Sequence, residues 1–127
     1  MKIFKNIKPE FVDVRGAITK ILDDGATVIK SILLIESKPG SIRGNHYHKK
    51  DSHYCYLLSG KMEYFKKSAQ GGEIESVVLN SGDMVFSPSM TIHAFRALED
   101  SVFIALATEY RSQDRYEEDT VRVKLVE

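Results

Sequence analysis

At 127 residues the chain has the length of one domain, and folding at this size buries roughly two-thirds of the unfolded surface without disulfide staples. Its 18 basic and 18 acidic residues cancel, which argues against a nucleic-acid groove or a membrane-binding face and leaves any anionic partner to be met by local groups. The single cysteine, Cys55, excludes an intrachain disulfide, and residues 1–9 hold no apolar run long enough for a signal peptide or a membrane span. The expectation is a soluble cytoplasmic protein with one domain over residues 1–127.

Taken in order, Ile3-Phe4, Phe11-Val12 and residues 17–22 are short apolar runs with β-branched content, broken by the turn-like Asp13-Val14-Arg15-Gly16. Asp23-Asp24-Gly25 marks a turn, and residues 28–35 read as a strong strand ending at Lys38-Pro39-Gly40. Residues 54–58 and 61–65 flank Ser59-Gly60 as a hairpin. Further strands are expected at 74–79, 84–86, 101–108 and 120–126, with turns at Gln70-Gly71-Gly72 and Asn80-Ser81-Gly82. The only helical candidate, 112–119, is short and charged. Many short strands with regular turns predict an all-β sandwich or barrel.

The chemistry concentrates in the histidines. His46 and His48 are separated by one residue, so on a strand both imidazoles project to one face, where they can share a metal ion. His53 follows a polar turn, and His93 stands five residues after Pro88. Four neutral imidazoles suit zinc, iron, nickel, copper or manganese better than calcium or magnesium. Cys55 shares the parity of His53, which places it inside with Leu57 as a small apolar filler and turns Tyr54 and Tyr56 outward.

Gly40, His46, His48, Gly60, Gly82, Pro88 and His93 occupy positions that resemble the two motifs of the cupins, G-x5-H-x-H-x(3–4)-E-x6-G and G-x5-P-x4-H-x3-N. His53 stands where the family has Glu, and Ala97 where it has Asn. The resemblance implies a double-stranded β-helix, or jelly-roll barrel, with His46, His48, His53 and His93 as ligands of a divalent transition metal.

A narrower resemblance joins Asp13-Val14-Arg15-Gly16, Arg43-Gly44-Asn45-His46-Tyr47-His48-Lys49 and Ile92-His93-Ala94-Phe95. These strings are similar to those of sugar-nucleotide epimerases and 3,4-ketoisomerases of deoxysugar and surface-polysaccharide biosynthesis, the dTDP-4-dehydrorhamnose 3,5-epimerases among them. The likeness implies proton transfer beside a sugar ketone, with His46 and His48 as catalytic groups and Arg15, Arg43 and Lys49 binding a nucleotide sugar. Residues 102–107 are aliphatic where the epimerases carry a general-acid tyrosine, and Tyr110 is the substitute. A nitrogen that binds metal cannot use the same lone pair to take a proton, so His46 is ligand or base in any one state. Two other readings stay open: a metal-dependent cupin with dioxygenase-like small-molecule chemistry, and a non-catalytic sugar-binding domain. Open edges on the terminal strands, and the habit of the family, predict a homodimer.

Overall fold

The computed structural model describes residues 1–127. Its strands are β1 (Lys2–Phe4), β2 (Phe11–Asp13), β3 (Gly16–Ile18), β4 (Ser31–Ser37), β5 (Ile42–His48), β6 (His53–Ser59), β7 (Lys61–Ser68), β8 (Gly71–Asn80), β9 (Met84–Ser87), β10 (Thr91–Ala97), β11 (Ser101–Ala107) and β12 (Thr120–Arg122). One helix, α1 (Gln113–Asp119), precedes β12. It is neither long nor apolar enough to cross a membrane.

Two five-stranded antiparallel sheets form the jelly roll, in the orders β1-β9-β6-β11-β4 and β12-β5-β10-β7-β8. The pairing β2-β3 makes a separate ribbon. Period-two alternation explains why the sheets close on each other. Along β11, Ser101, Phe103, Ala105 and Ala107 are buried while Val102, Ile104 and Leu106 are less so. From the other sheet, Met62, Tyr64 and Phe95 meet them, with the Phe95 and Phe103 rings stacked at 5.3 Å. Each such fully buried side chain contributes roughly 1.5–3 kcal/mol. The Tyr64 hydroxyl, taken wholly out of water, bonds to Ser87 Oγ across the sheets at 2.8 Å.

Several expected boundaries move. Residues 17–22 supply a strand only as far as Ile18, and the strand expected at 28–35 is β4, starting at Ser31. Past β12, residues 123–126 follow β5 by another means: Asn45 Oδ1 accepts from the N–H groups of Leu125 and Val126, and Asn45 Nδ2 donates to the Val126 carbonyl. Tyr54, expected outside, is 5% exposed. Alternation does turn it away from the core, but on that outer face the rings of Phe4 and Phe86, from β1 and β9 of the same sheet, lie 6.2 and 4.7 Å from it.

Candidate functional site

The site forms where β5, β6 and β10 come together. His46 pairs with His93 in the β5–β10 ladder, and the register then slips by one residue between His93 and Ala94. Gly44 and Asn45, at φ +91° and +56°, make that kink. A Cβ on Gly44 would stand 2.7 Å from the His93 carbonyl oxygen, so glycine is what allows the two backbones this close. The ring of His46 consequently lies 4.7 Å from that of His48 and 4.8 Å from that of His93. His53, opening β6, brings its ring to 5.6 Å from His48 and 4.8 Å from His93.

The four histidines form two overlapping groups rather than one set. The donor atoms of His46, His48 and His93 lie within 4.8 Å of one another, and those of His48, Asp51 and His53 do likewise. Hydrogen bonds assign the tautomers. His93 Nδ1 donates to the Thr91 carbonyl at 3.3 Å, and His53 Nδ1 to Asp51 Oδ2 at 3.2 Å. Thr120 Oγ1 spends its proton on the Tyr116 carbonyl, so His48 Nδ1 must donate to Thr120 Oγ1 at 3.3 Å, with Asp119 Oδ2 3.5 Å away. His93 and His48 therefore keep Nδ1–H on an outer partner and leave Nε2 bare, the arrangement by which proteins orient metal-ligating histidines.

Electrostatics separate the two groups. Burial, reinforced by the neighbouring histidines and by Arg122 and Arg111, pushes His46 down to about 3. Burial also holds His93 well below its ordinary value and lowers His48, with His53 adding to both. These three rings are neutral and offer lone pairs. Burial opposes a charge on His53 too, but the Cys55 sulfur and the Asp51 carboxylate outweigh it and push His53 up to about 10. The neutral trio His46, His48 and His93 thus fits a late divalent transition ion, and His53 with Asp51 flanks it as an ion pair.

A cavity of about 380 Å³ opens on this cluster, lined by the four histidines, Asp51, Arg43, Arg111, Tyr116 and Arg122, with an apolar wall that includes Leu33, Ile35, Phe95 and Phe103. Arg43 lines this cavity, with Nε committed to Ser37 Oγ at 2.9 Å and Nη2 to the Glu36 carbonyl at 2.6 Å. Arg15 does not join the cavity within one chain. It sits on the β2–β3 ribbon, bonded to its own Asp13 at 2.6 Å. Lys49 and Tyr110 line a separate, adjoining cavity of about 460 Å³.

Tyr116 is the tyrosine that does line the histidine cavity, its ring 5.7 Å from that of His48. The helix candidate at 112–119, which its charge marked as marginal, supplies both this ring and Asp119. The apolar faces that normally reveal a functional helix are missing here because α1 packs by hydrogen bonds at its C-terminal end. Asp119 Oδ1 accepts from the Lys50 N–H at 2.7 Å, and Oδ2 from the Asp51 N–H at 3.1 Å. Asp51 was visible in the sequence only as part of a polar turn. Its Oδ1 accepts from the N–H groups of Thr108 and Glu109, tying the β5–β6 turn to the end of β11.

A family profile described as Cupin domain matches residues 33–109. A search of curated protein sequences finds no match. Among solved structures, the chain is similar to a 3,4-ketoisomerase from Helicobacter canadensis at 22% identity and TM-score 0.78, over 95% of this chain and 89% of that one. It is similar to dTDP-4-dehydrorhamnose 3,5-epimerase from Sulfolobus tokodaii at 21% identity and TM-score 0.74, over 91% and 73%. It is also similar to a variant of the 3,4-ketoisomerase QdtA from Thermoanaerobacterium thermosaccharolyticum in complex with TDP, at 25% identity and TM-score 0.76, over 95% and 86%. The jelly roll, the histidines on β5, β6 and β10 and the matched span lead to one conclusion: the chain belongs to the cupin domain family.

Proposed function

We propose that the protein is an isomerase of nucleotide-linked keto-deoxysugars that moves a proton at the carbon beside the ketone, in the service of surface-polysaccharide synthesis. The observation that carries this reading is His48, buried in the cavity with a bare Nε2 and with Asp119 behind its Nδ1–H. The likeness to a ketoisomerase in complex with TDP supports the substrate class.

In this mechanism His48 Nε2 takes the proton from carbon, and the C–H electron pair moves into the carbonyl to give an enediolate. The Asp119 carboxylate stabilises the imidazolium that forms, and a positioned base of this kind is worth about 100- to 10,000-fold. Once the hydroxyl proton has passed to the former carbonyl oxygen, return of a proton to the former carbonyl carbon moves the ketone, whereas return to the same carbon from the opposite face inverts that carbon. Tyr116 takes over the acid role expected of Tyr110, because it borders the histidine cavity and Tyr110 does not. Arg43 presents what remains of its guanidinium to a sugar oxygen.

His46, His48 and His93 would hold a divalent transition metal, the last two through Nε2. Such an ion supplies Lewis-acid polarisation of a substrate oxygen and occupies the lone pair that proton transfer needs. Metal analysis of the purified protein separates the two uses. One ion per chain that is lost in His46→Ala and His93→Ala and kept in His53→Ala assigns the trio; stoichiometric metal in all three variants removes it from the reading. For the isomerase itself, the test is incubation with 4-keto-6-deoxysugar nucleotides in deuterated water. Deuterium at the carbon beside the ketone, abolished by His48→Asn, is the expected result. Tight binding without any exchange would leave a sugar-binding module in place of an enzyme. We also propose that the chain is a homodimer.

A further inference from the structure

The adjoining 460 Å³ cavity lies between the β5–β6 turn, the end of β11 and α1, and it shares His48, Asp51, Ala107, Arg111 and Tyr116 with the histidine cavity. Its charges are unevenly spent. Of its carboxylates, Asp51 is taken by His53 and the Thr108 and Glu109 N–H groups, and Asp119 by His48 and the Lys50 and Asp51 N–H groups. Glu109 faces Lys30 at 3.9 Å, which leaves Glu118. Its cations are Lys49, Lys50, Arg111 and Arg115. Elsewhere Lys5, Arg15 and Arg122 each have a carboxylate within 4 Å, from Asp83, Asp13 and Glu117; these four have none.

The two arginines are also held in place. Arg111 lies over the Tyr116 ring at 4.2 Å, and Arg115 over the Tyr110 ring at 5.2 Å. A guanidinium lying over an aromatic face keeps its N–H donors free for oxygen acceptors, and its fork can grip phosphate oxygens in pairs. Four cations without an ion pair in one concavity, two of them lying over aromatic rings, against Glu118 as the one carboxylate left unengaged, describe an anion site.

We propose that this second cavity binds the diphosphate of a nucleoside diphosphate, with Arg111 and Arg115 as the principal contacts and Lys49 and Lys50 closing the charge balance. The site rests on the isomerase reading only for its meaning: a sugar over His48 would run past Arg111 into the second cavity, where its diphosphate is held without Arg15. The anion chemistry stands independently of catalysis.

The test is titration calorimetry on the full chain with inorganic diphosphate and with thymidine 5′-diphosphate. Arg111→Gln and Arg115→Gln should each weaken both ligands by about ten- to a hundredfold, as expected for losing one charge-assisted contact. Arg15→Gln should change neither. Arg115→Lys should recover part of the loss, since the charge survives and the fork does not. Both arginines are exposed, so circular dichroism of the variants should match the parent. The proposal is overturned if the parent shows no saturable binding at millimolar ligand, if Arg111→Gln and Arg115→Gln bind like the parent, or if Arg15→Gln alone abolishes nucleotide binding. His48→Asn separates it from the isomerase reading. Diphosphate binding retained there and lost in Arg111→Gln upholds the site even where no deuterium exchange is found; exchange indifferent to both arginines upholds the enzyme and removes the site.

Discussion

Gly44 and Asp83 show how single positions hold the site and the fold. An alanine at Gly44 meets the His93 carbonyl and the Ala94 Cα at once, in a backbone conformation that L-residues avoid. Gly44→Ala is expected to cost about 1–3 kcal/mol and to separate β5 from β10, so that metal or ligand binding falls further than stability does. Urea denaturation alongside a binding assay checks both. Asp83 is 2% exposed, and its carboxylate accepts from the N–H groups of Asn6 and Asn80 and from Lys5 Nζ at 2.6 Å. Burial alone would raise its pKa; the Asn80 N–H, Lys5 and the Asn6 N–H outweigh that and hold it below 3.8. A depressed carboxylate stabilises the fold above its unfolded pKa and loses that contribution as pH falls through the folded value. Asp83→Ala should therefore lose about 1–3 kcal/mol at pH 7, and the gap to the parent should narrow as pH drops below about 4. An unchanging gap down to pH 2 contradicts the assignment.

At the scale of elements, the C-terminal segment is held to β5 largely through one side chain. Asn45 makes three hydrogen bonds to residues 125 and 126 while sitting at a positive φ that asparagine tolerates better than most residues. Asn45→Ala is expected to free that segment and to cost about 1–2 kcal/mol, because two N–H groups and one carbonyl return to water. Hydrogen exchange should accelerate at Leu125 and Val126 while Phe103 and Tyr64 stay protected. Equal acceleration throughout would mean that the segment unfolds with the whole domain. The same comparison bears on the site, since β12 sets Thr120 opposite His48 and Arg122 opposite His46.

For the molecule as a whole, the apolar surface is unevenly distributed. The ribbon β2–β3 exposes Phe11, Val12, Val14 and Ile18, and β4, an edge strand, exposes Ile32 and Leu34 at 70% and 65%. Such an edge with an apolar outer face invites pairing, and a second copy of the chain is the occupant that the proposed homodimer supplies. Light scattering at micromolar concentration should return twice 14.4 kDa. Leu34→Glu should shift that mass toward one chain with little loss of fold, as the side chain already faces solvent in the single chain. A parent mass of one chain refutes the dimer.

The sequence alone determined the class of fold and the histidines, and for the same reason in both cases. Period-two alternation and glycine-marked turns are local, so β4, β5, β6, β7, β8, β9 and β11 were legible, and His46, His48 and His53 could be placed on strands; His93 reads as part of a loop after Pro88, and only the structure shows β10 carrying it. What only the tertiary structure decided is everything that depends on a long-range neighbour. Whether His53 joins the donor set hangs on Asp51 and Cys55 at its ring, and the bare Nε2 of His48 on Thr120, 72 residues away. Tyr116 and Asp119 enter through a charged helix with no apolar stripe to announce it. Arg15 carries a string that resembles a nucleotide-binding one, yet it projects on a ribbon away from the histidine cavity. Spacing along a strand reports which face a side chain takes; it carries no information on which element will close over that face.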